Sequence, residues 1–190
     1  MSIAVIYGST RADSNTELLT EQAIQGLDVE RIILRNYAIQ PIEDGRHAPE
    51  GFKDVKDDHK ALFSKMVESD IIIFSTPIYW YGMSGTMKNF VDRWSHTMRD
   101  PEFADFKERM AQKQAFLITA GGDDPYLKGL PLVQQFKYIC DFVNLPFGGY
   151  VLGKANKPGE IKQDKKAMVS AEQLNEQLKV ITQKTRNKKS

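Results

Sequence analysis

The chain has 190 residues, 41% of them hydrophobic, enough for one domain with a sizeable core, and 26 basic against 25 acidic side chains leave a net charge of +1. That balance offers no broad basic face, so neither nucleic acid nor a membrane is the expected partner. A single cysteine, Cys140, excludes an internal disulfide and a cysteine-held cluster.

No apolar run approaches about 18 residues, and Ser2-Ile3-Ala4-Val5-Ile6-Tyr7 lacks the basic and apolar regions of a signal peptide, so the expected location is cytoplasmic. Ile3 to Tyr7 predicts the first strand, and Gly8-Ser9-Thr10-Arg11-Ala12-Asp13-Ser14-Asn15-Thr16 the loop after it. Ser14 followed by Glu17 matches a capping box, and Leu19, Ala23 and Leu27 recur at helical spacing, so the loop ends on a helix N-terminus. Free N–H groups and the dipole there attract an anion; Ser9, Ser14 and Thr16 add hydroxyls, and Arg11 a guanidinium able to grip phosphate in two places. Capping by Ser14 and a solvated Arg11 would explain the same residues without a ligand, but a cap uses one of several free donors. The loop has neither the Lys-Ser/Thr ending of a P-loop nor G-x-G-x-x-G, which disfavours an NTPase and a Rossmann dinucleotide site.

Val29 to Leu34 predicts the second strand, after Gly26 closes the helix. The polar stretch Asn36 to Lys56, with Pro41, Gly45, Pro49 and Gly51, is longer than linkage needs, as in lids and interface elements. His47 and His59 fall in or near it; a lone loop histidine is ordinarily solvated, and neither has partners at metal-ligand spacing. Leu62, Phe63, Met66 and Val67 mark a second helix. The run Ile71-Ile72-Ile73-Phe74 then suits a strand buried on both faces, the habit of a central parallel strand. It empties into Ser75-Thr76-Pro77-Ile78-Tyr79-Trp80-Tyr81-Gly82-Met83-Ser84-Gly85, where Pro77 disfavours helix at Thr76 and the glycines free the backbone. Three aromatics therefore stand on a turn past the strand's carboxyl end, the edge where open α/β sheets bind ligands. Alone they would read as a buried corner or a subunit contact; the first loop shifts that reading toward a ligand.

Met87, Phe90, Val91, Trp94 and Met98 give a third helix from about Ser84 to Thr97, with Trp94 on its core face. The charged insertion Asp100 to Gln112, around Phe103 and Phe106, fits a short helix or a subunit contact. Ala115 to Thr119 predicts the fourth strand, and Gly121-Gly122 after it let backbone approach a flat ligand, although a simple turn would use the same residues. Val133, Phe136, Cys140 and Val143 put Cys140 in the core, Phe147 to Leu152 predicts the fifth strand, and Ala167, Ala171, Leu174, Leu178 and Ile181 a final helix. The basic end, Lys184, Arg186, Lys188 and Lys189, reads as a solvated tail. Five strands alternating with five helices, without repeats or linkers, predict a single α/β domain over residues 1–190. Its parallel sheet is covered on both faces, in the flavodoxin-like order 2-1-3-4-5.

Gly8 to Thr16, Thr76 to Gly82 with Ser84 to Arg93, and Thr119 to Gly122 together resemble the NADPH-dependent FMN reductase family, in order and spacing over nearly the whole chain. The resemblance implies that Ser9, Arg11, Ser14, Asn15 and Thr16 hold the FMN phosphate. It implies that Pro77, Ile78, Tyr79, Trp80, Tyr81 and Gly82 border the isoalloxazine, with Thr119, Gly121, Gly122 and Tyr126 along its other edge. It further implies a homodimer or homotetramer with active sites near subunit contacts. The neighbouring iron–sulfur flavoproteins carry a cysteine motif after strand two; here Ile39 to His47 has no cysteine, which excludes that cluster.

The implied chemistry is hydride transfer from NADPH or NADH to tightly bound FMN, then electron transfer to a small acceptor such as a quinone, a nitro or azo compound, a metal oxyanion or free flavin. No catalytic side chain and no metal is assigned. Two rivals stand beside this reading. A flavodoxin-type electron carrier would show a strongly one-signed docking surface, against which the near-zero net charge speaks. A non-enzymatic module would use the aromatic loop to bind a protein.

Overall fold

A computed structural model describes residues 1–186, with side chains through Gln183. The elements in chain order are β1 (Ile3–Tyr7), α1 (Asn15–Ala23), β2 (Glu30–Ile33), α2 (His59–Glu68), β3 (Ile71–Ser75), α3 (Gly85–Asp92), α4 (Trp94–Thr97), α5 (Phe106–Met110), β4 (Gln114–Gly121), α6 (Pro125–Lys128), α7 (Leu130–Phe142), β5 (Phe147–Lys154) and α8 (Lys165–Arg186). All strand pairs are parallel, in the order β2-β1-β3-β4-β5. The flavodoxin-like order is thus observed. No helix among the described residues is long and apolar enough to cross a membrane.

The central position of β3 follows from its composition. Ile72 and Phe74 point into one core layer with Phe63, Phe90, Trp94 and Phe136; Ile71 and Ile73 point into the other with Leu19, Ile118, Leu174 and Leu178. A strand buried on both faces needs no polar alternation, and each such side chain contributes about 1.5–3 kcal/mol on burial. α1 begins where Ser14 Oγ accepts the Glu17 N–H at 3.2 Å, the expected cap. It ends where Asn175, reaching from α8, donates to the carbonyls of Ala23 and Gln25, both at 3.0 Å.

Several boundaries differ from the sequence expectation. The third helix divides into α3 and α4 at Arg93, whose N–H is shared between Asn89 O and Val91 O while its side chain runs beneath the preceding long loop. The short-helix option holds for the insertion: Phe103 and Phe106 close onto Phe63, with ring centroids 5.0 and 4.9 Å away. With α5 and α6 added, the described residues form eight α-helical segments where five were expected. β4 runs on to Gly121 because β5 keeps pairing with it, Gly121 opposite Lys154. The basic tail, from Lys184 onward, lies outside the described side chains.

The long loop is pinned rather than free. Asp57 Oδ2 accepts from Arg93 Nη1 at 2.5 Å and from the Gln40 amide at 2.9 Å, and Arg93 also reaches Gln40 O at 3.1 Å. Both side chains of the pair are almost wholly buried.

His59 is not solvated as a lone histidine would be. It is 1% exposed, its Nε2 lies 3.0 Å from Phe90 O and its Nδ1 3.3 Å from Thr97 Oγ1. The carbonyl partner requires a proton on Nε2, while the Thr97 hydroxyl itself donates to Arg93 O at 3.2 Å. Burial lowers its pKa to about 4. The unfolded chain therefore binds the proton first as pH falls. This contribution to stability is complete above about pH 6.5 and is lost between there and pH 4. A shift of this size corresponds to about 3 kcal/mol. Urea unfolding at pH 7 and pH 4.5 is expected to show that loss, and His59→Gln is expected to flatten the dependence; an equally steep slope in the variant would place it elsewhere.

Candidate active site at the carboxyl rim of the sheet

The carboxyl ends of the parallel strands emerge on one rim. Gly8 leaves β1 with its N–H on Ser75 O at 2.8 Å and its carbonyl accepting from Ser84 Oγ at 2.6 Å, which locks the first and second loops together. A Cβ at Gly8 would lie 2.8 Å from Met87 Cβ, so this approach requires glycine. Ser84 also caps α3 by accepting the Met87 N–H at 3.2 Å.

In the first loop Ser9, Ser14, Asn15 and Thr16 are buried while Arg11 is exposed. Ser9 Oγ closes a turn with the carbonyl and amide of Arg11, at 3.0 and 3.2 Å, and Ser14 is spent on the cap. Asn15 donates to Lys157 O at 2.9 Å and accepts from the Ile161 N–H at 3.3 Å, tying this loop to the segment after β5. These three side chains shape the loop. The groups left for an anion are the first N–H groups of α1, the Thr16 hydroxyl and the Arg11 guanidinium, which has no partner among the described residues. Arg35 lies beside it, paired with Glu17 and donating to Arg11 O at 3.3 Å.

The second loop leaves β3 and returns as a two-residue hairpin. Tyr79 and Gly82 exchange both backbone hydrogen bonds at 3.0 Å, and Trp80 and Tyr81 between them have φ of 49° and 64°. Trp80 is 96% exposed. The base is fixed by Ile78 N–H to Ala120 O at 2.9 Å and by Thr119, which is fully buried and donates its hydroxyl to Thr76 O at 2.5 Å. Thr119 thus supports the loop from beneath.

A cavity of about 480 Å³ opens between this hairpin and the loop after β4, lined by Ile78, Trp80, Tyr81, Gly121, Gly122, Asp123 and Asn156. A Cβ at Gly122 would come within 3.3 Å of the Asn156 side chain, and one at Gly121 within 3.1 Å of Ile78, so the glycines keep the slot narrow and open. Tyr81 Oη donates to Asp123 Oδ2 at 2.9 Å across it. Lys128, and then Tyr81, hold the Asp123 carboxyl below the usual range. Tyr126 does not line the cavity; its hydroxyl donates to Asp164 at 2.7 Å, and Lys166 Nζ lies 3.9 Å from its ring centroid. Cys140 is fully buried, and burial pushes its thiol up to about 12, far from any reactive thiolate.

Sequence reasoning missed the fourth loop. Asn156 is carried there by Glu160, whose carboxylate accepts the amides of Asn156 and Lys157 at 2.7 and 2.9 Å. The signal was present, since a parallel β5 must end on this rim and Asn156-Lys157-Pro158-Gly159 is a turn sequence. Asp123 and Arg35 were also missed as site residues.

A flavodoxin-like sheet with anion donors at the first loop and a narrow aromatic slot at the next two defines a protein for a flat ligand with a charged tail. FMN has that shape, and the residues present fit it. The profile of the NADPH-dependent FMN reductase family matches residues 1–157, and the chain belongs to that family of FMN-dependent NAD(P)H oxidoreductases. It is 54% identical over 174 residues, 92% of this chain and 96% of the relative, to YwqN of Bacillus subtilis (strain 168), which carries the provisional name NAD(P)H-dependent FMN-containing oxidoreductase. It is 29% identical over 187 residues, 92% of this chain and 93% of the relative, to the iron-sulfur flavoprotein MJ1083 of Methanocaldococcus jannaschii. A solved Bacillus subtilis structure described as a Trp repressor binding protein superposes with a TM-score of 0.77 at 46% identity, covering 91% of this chain and 97% of that one.

Proposed function

We propose that this chain binds FMN along the rim and passes electrons from NADPH or NADH to a small planar acceptor, a quinone foremost, with azo and nitro compounds and free flavin in the same class. The observation that carries this is the aromatic hairpin facing two glycines across a slot, on the same rim as a helix start whose loop carries Arg11, without a partner among the described residues. When bound, FMN supplies the two-electron chemistry, taking hydride from the nicotinamide and releasing electrons to the acceptor.

The chain's own residues bind and orient. The α1 amides, the Thr16 hydroxyl and Arg11 hold the phosphate; Ser9, Ser14 and Asn15 fix the loop that presents them. Pro77 through Gly82 border one side of the ring, and Gly121 and Gly122 allow backbone to approach the other, supported by Thr119. Exposed Trp80 and Tyr81 offer a stacking platform worth about 0.5–1.5 kcal/mol per aromatic pair beyond burial. Assembly as a homodimer or homotetramer in the cytoplasm belongs to this reading; Tyr138 and Phe142, 65% and 63% exposed on α7, supply apolar surface for it.

A flavodoxin-type carrier differs in turnover. Purified protein loaded with FMN is expected to oxidise NADPH steadily when a small benzoquinone is supplied; flavin uptake without such oxidation would favour the carrier.

A further inference from the structure

Building on the reading just given, we propose that Asp123 is a positioning residue that, through Tyr81, latches the aromatic hairpin across the cavity and so fixes the wall against which the flavin ring lies. The hairpin itself shows why a latch is needed. Two-residue hairpins whose central residues both have positive φ are usually built from Asn-Gly, because side chains crowd the backbone there. Trp80 and Tyr81 occupy both positions, at φ of 49° and 64°. Such backbone persists where its surroundings hold it.

Trp80, 96% exposed, buries almost nothing that would do so. The base of the hairpin is anchored to β4 through Ile78 N–H and Ala120 O. The tip is joined to the opposite wall by Tyr81 Oη and Asp123 Oδ2, 2.9 Å apart. Asp123 is in turn steadied from α6, where Lys128 Nζ reaches its two carboxylate oxygens at 2.8 and 2.9 Å. The relay Lys128–Asp123–Tyr81 therefore ties the hairpin to the opposite wall, and none of its three side chains bonds to the loop assigned to the phosphate among the described residues.

That separation sets the test. Tyr81→Phe and Asp123→Ala are made in the full chain; both side chains are exposed, so the fold is retained. Removing a partly solvated hydrogen bond to a charged group is expected to raise the Kd of FMN and of riboflavin alike, by about fivefold. The double variant should show no further loss, and Asp123→Asn, which keeps an acceptor oxygen, should recover part of the affinity. In the flavin-free protein, the fast component of time-resolved tryptophan anisotropy should grow in both variants, since Trp94 is only 3% exposed and Trp80 rides on the hairpin. Wild-type uptake of flavin with unchanged Kd and unchanged anisotropy in the variants would overturn the latch alone, as would losses that add in the double variant or that affect FMN but not riboflavin. Wild-type protein that took up neither flavin would overturn both the functional reading and the latch.

Discussion

Asp57→Ala is expected to lower unfolding stability by about 3–5 kcal/mol, because it strands the buried Arg93 cation. Arg93 is 4% exposed, and its guanidinium is held by Asp57 and the Gln40 carbonyl while its Nε has no partner among the described residues. Burial alone would raise the Asp57 carboxyl; hydrogen bonds from Arg93 and from the Gln40 and His59 amides outweigh it and hold the pKa below its ordinary value. The carboxylate is therefore ionised at neutral pH, and the pair's contribution is lost only as pH falls below the usual carboxylate range. Replacing both members together, as Asp57→Leu with Arg93→Met, is expected to cost much less, since it removes the charge along with its partner. Urea midpoints with unchanged m values measure this; a loss below about 0.5 kcal/mol for Asp57→Ala, the size of an ordinary surface change, would mean that the pair is hydrated rather than buried.

Arg11→Ala is expected to weaken FMN binding by about 1.5–3 kcal/mol, or about 10- to 150-fold, the range for a hydrogen bond to a charged group. Riboflavin, which lacks the phosphate, should bind the variant as it binds the wild type. Stability should not change, because the Arg11 side chain is exposed and makes no bond within the described residues. Flavin fluorescence titrations of both ligands separate the two effects. Equal FMN affinity in the variant would place the phosphate elsewhere.

The scaffold was readable where local chemistry and packing agree. The apolar run at Ile71–Phe74 admits little but a doubly buried strand, and Ser14 with Glu17 marks the start of α1 before any contact is known. The cap is made as expected, yet Asn15 belongs to a long-range link to Lys157 and Ile161, 142 and 146 residues away, that no local pattern reveals. Pro77 and the glycines mark the turn that carries Tyr79, Trp80 and Tyr81, but not its two-residue hairpin form, because Trp-Tyr occupies positions that usually carry Asn-Gly. Asp57 and Arg93 lie 36 residues apart with no local pattern linking them, and only the tertiary fold buries them together. His59 was misread for the same reason: its sequence neighbours are polar, while its spatial neighbours are Phe63, Phe90 and Thr97.

The most direct measurement is a crystal structure of the wild-type protein with FMN. The phosphate is expected at the start of α1 within hydrogen-bonding reach of Arg11 and Thr16, with the rings between the Trp80–Tyr81 hairpin and Gly121–Gly122. A flavin seated on another surface, with that rim empty, would contradict the account.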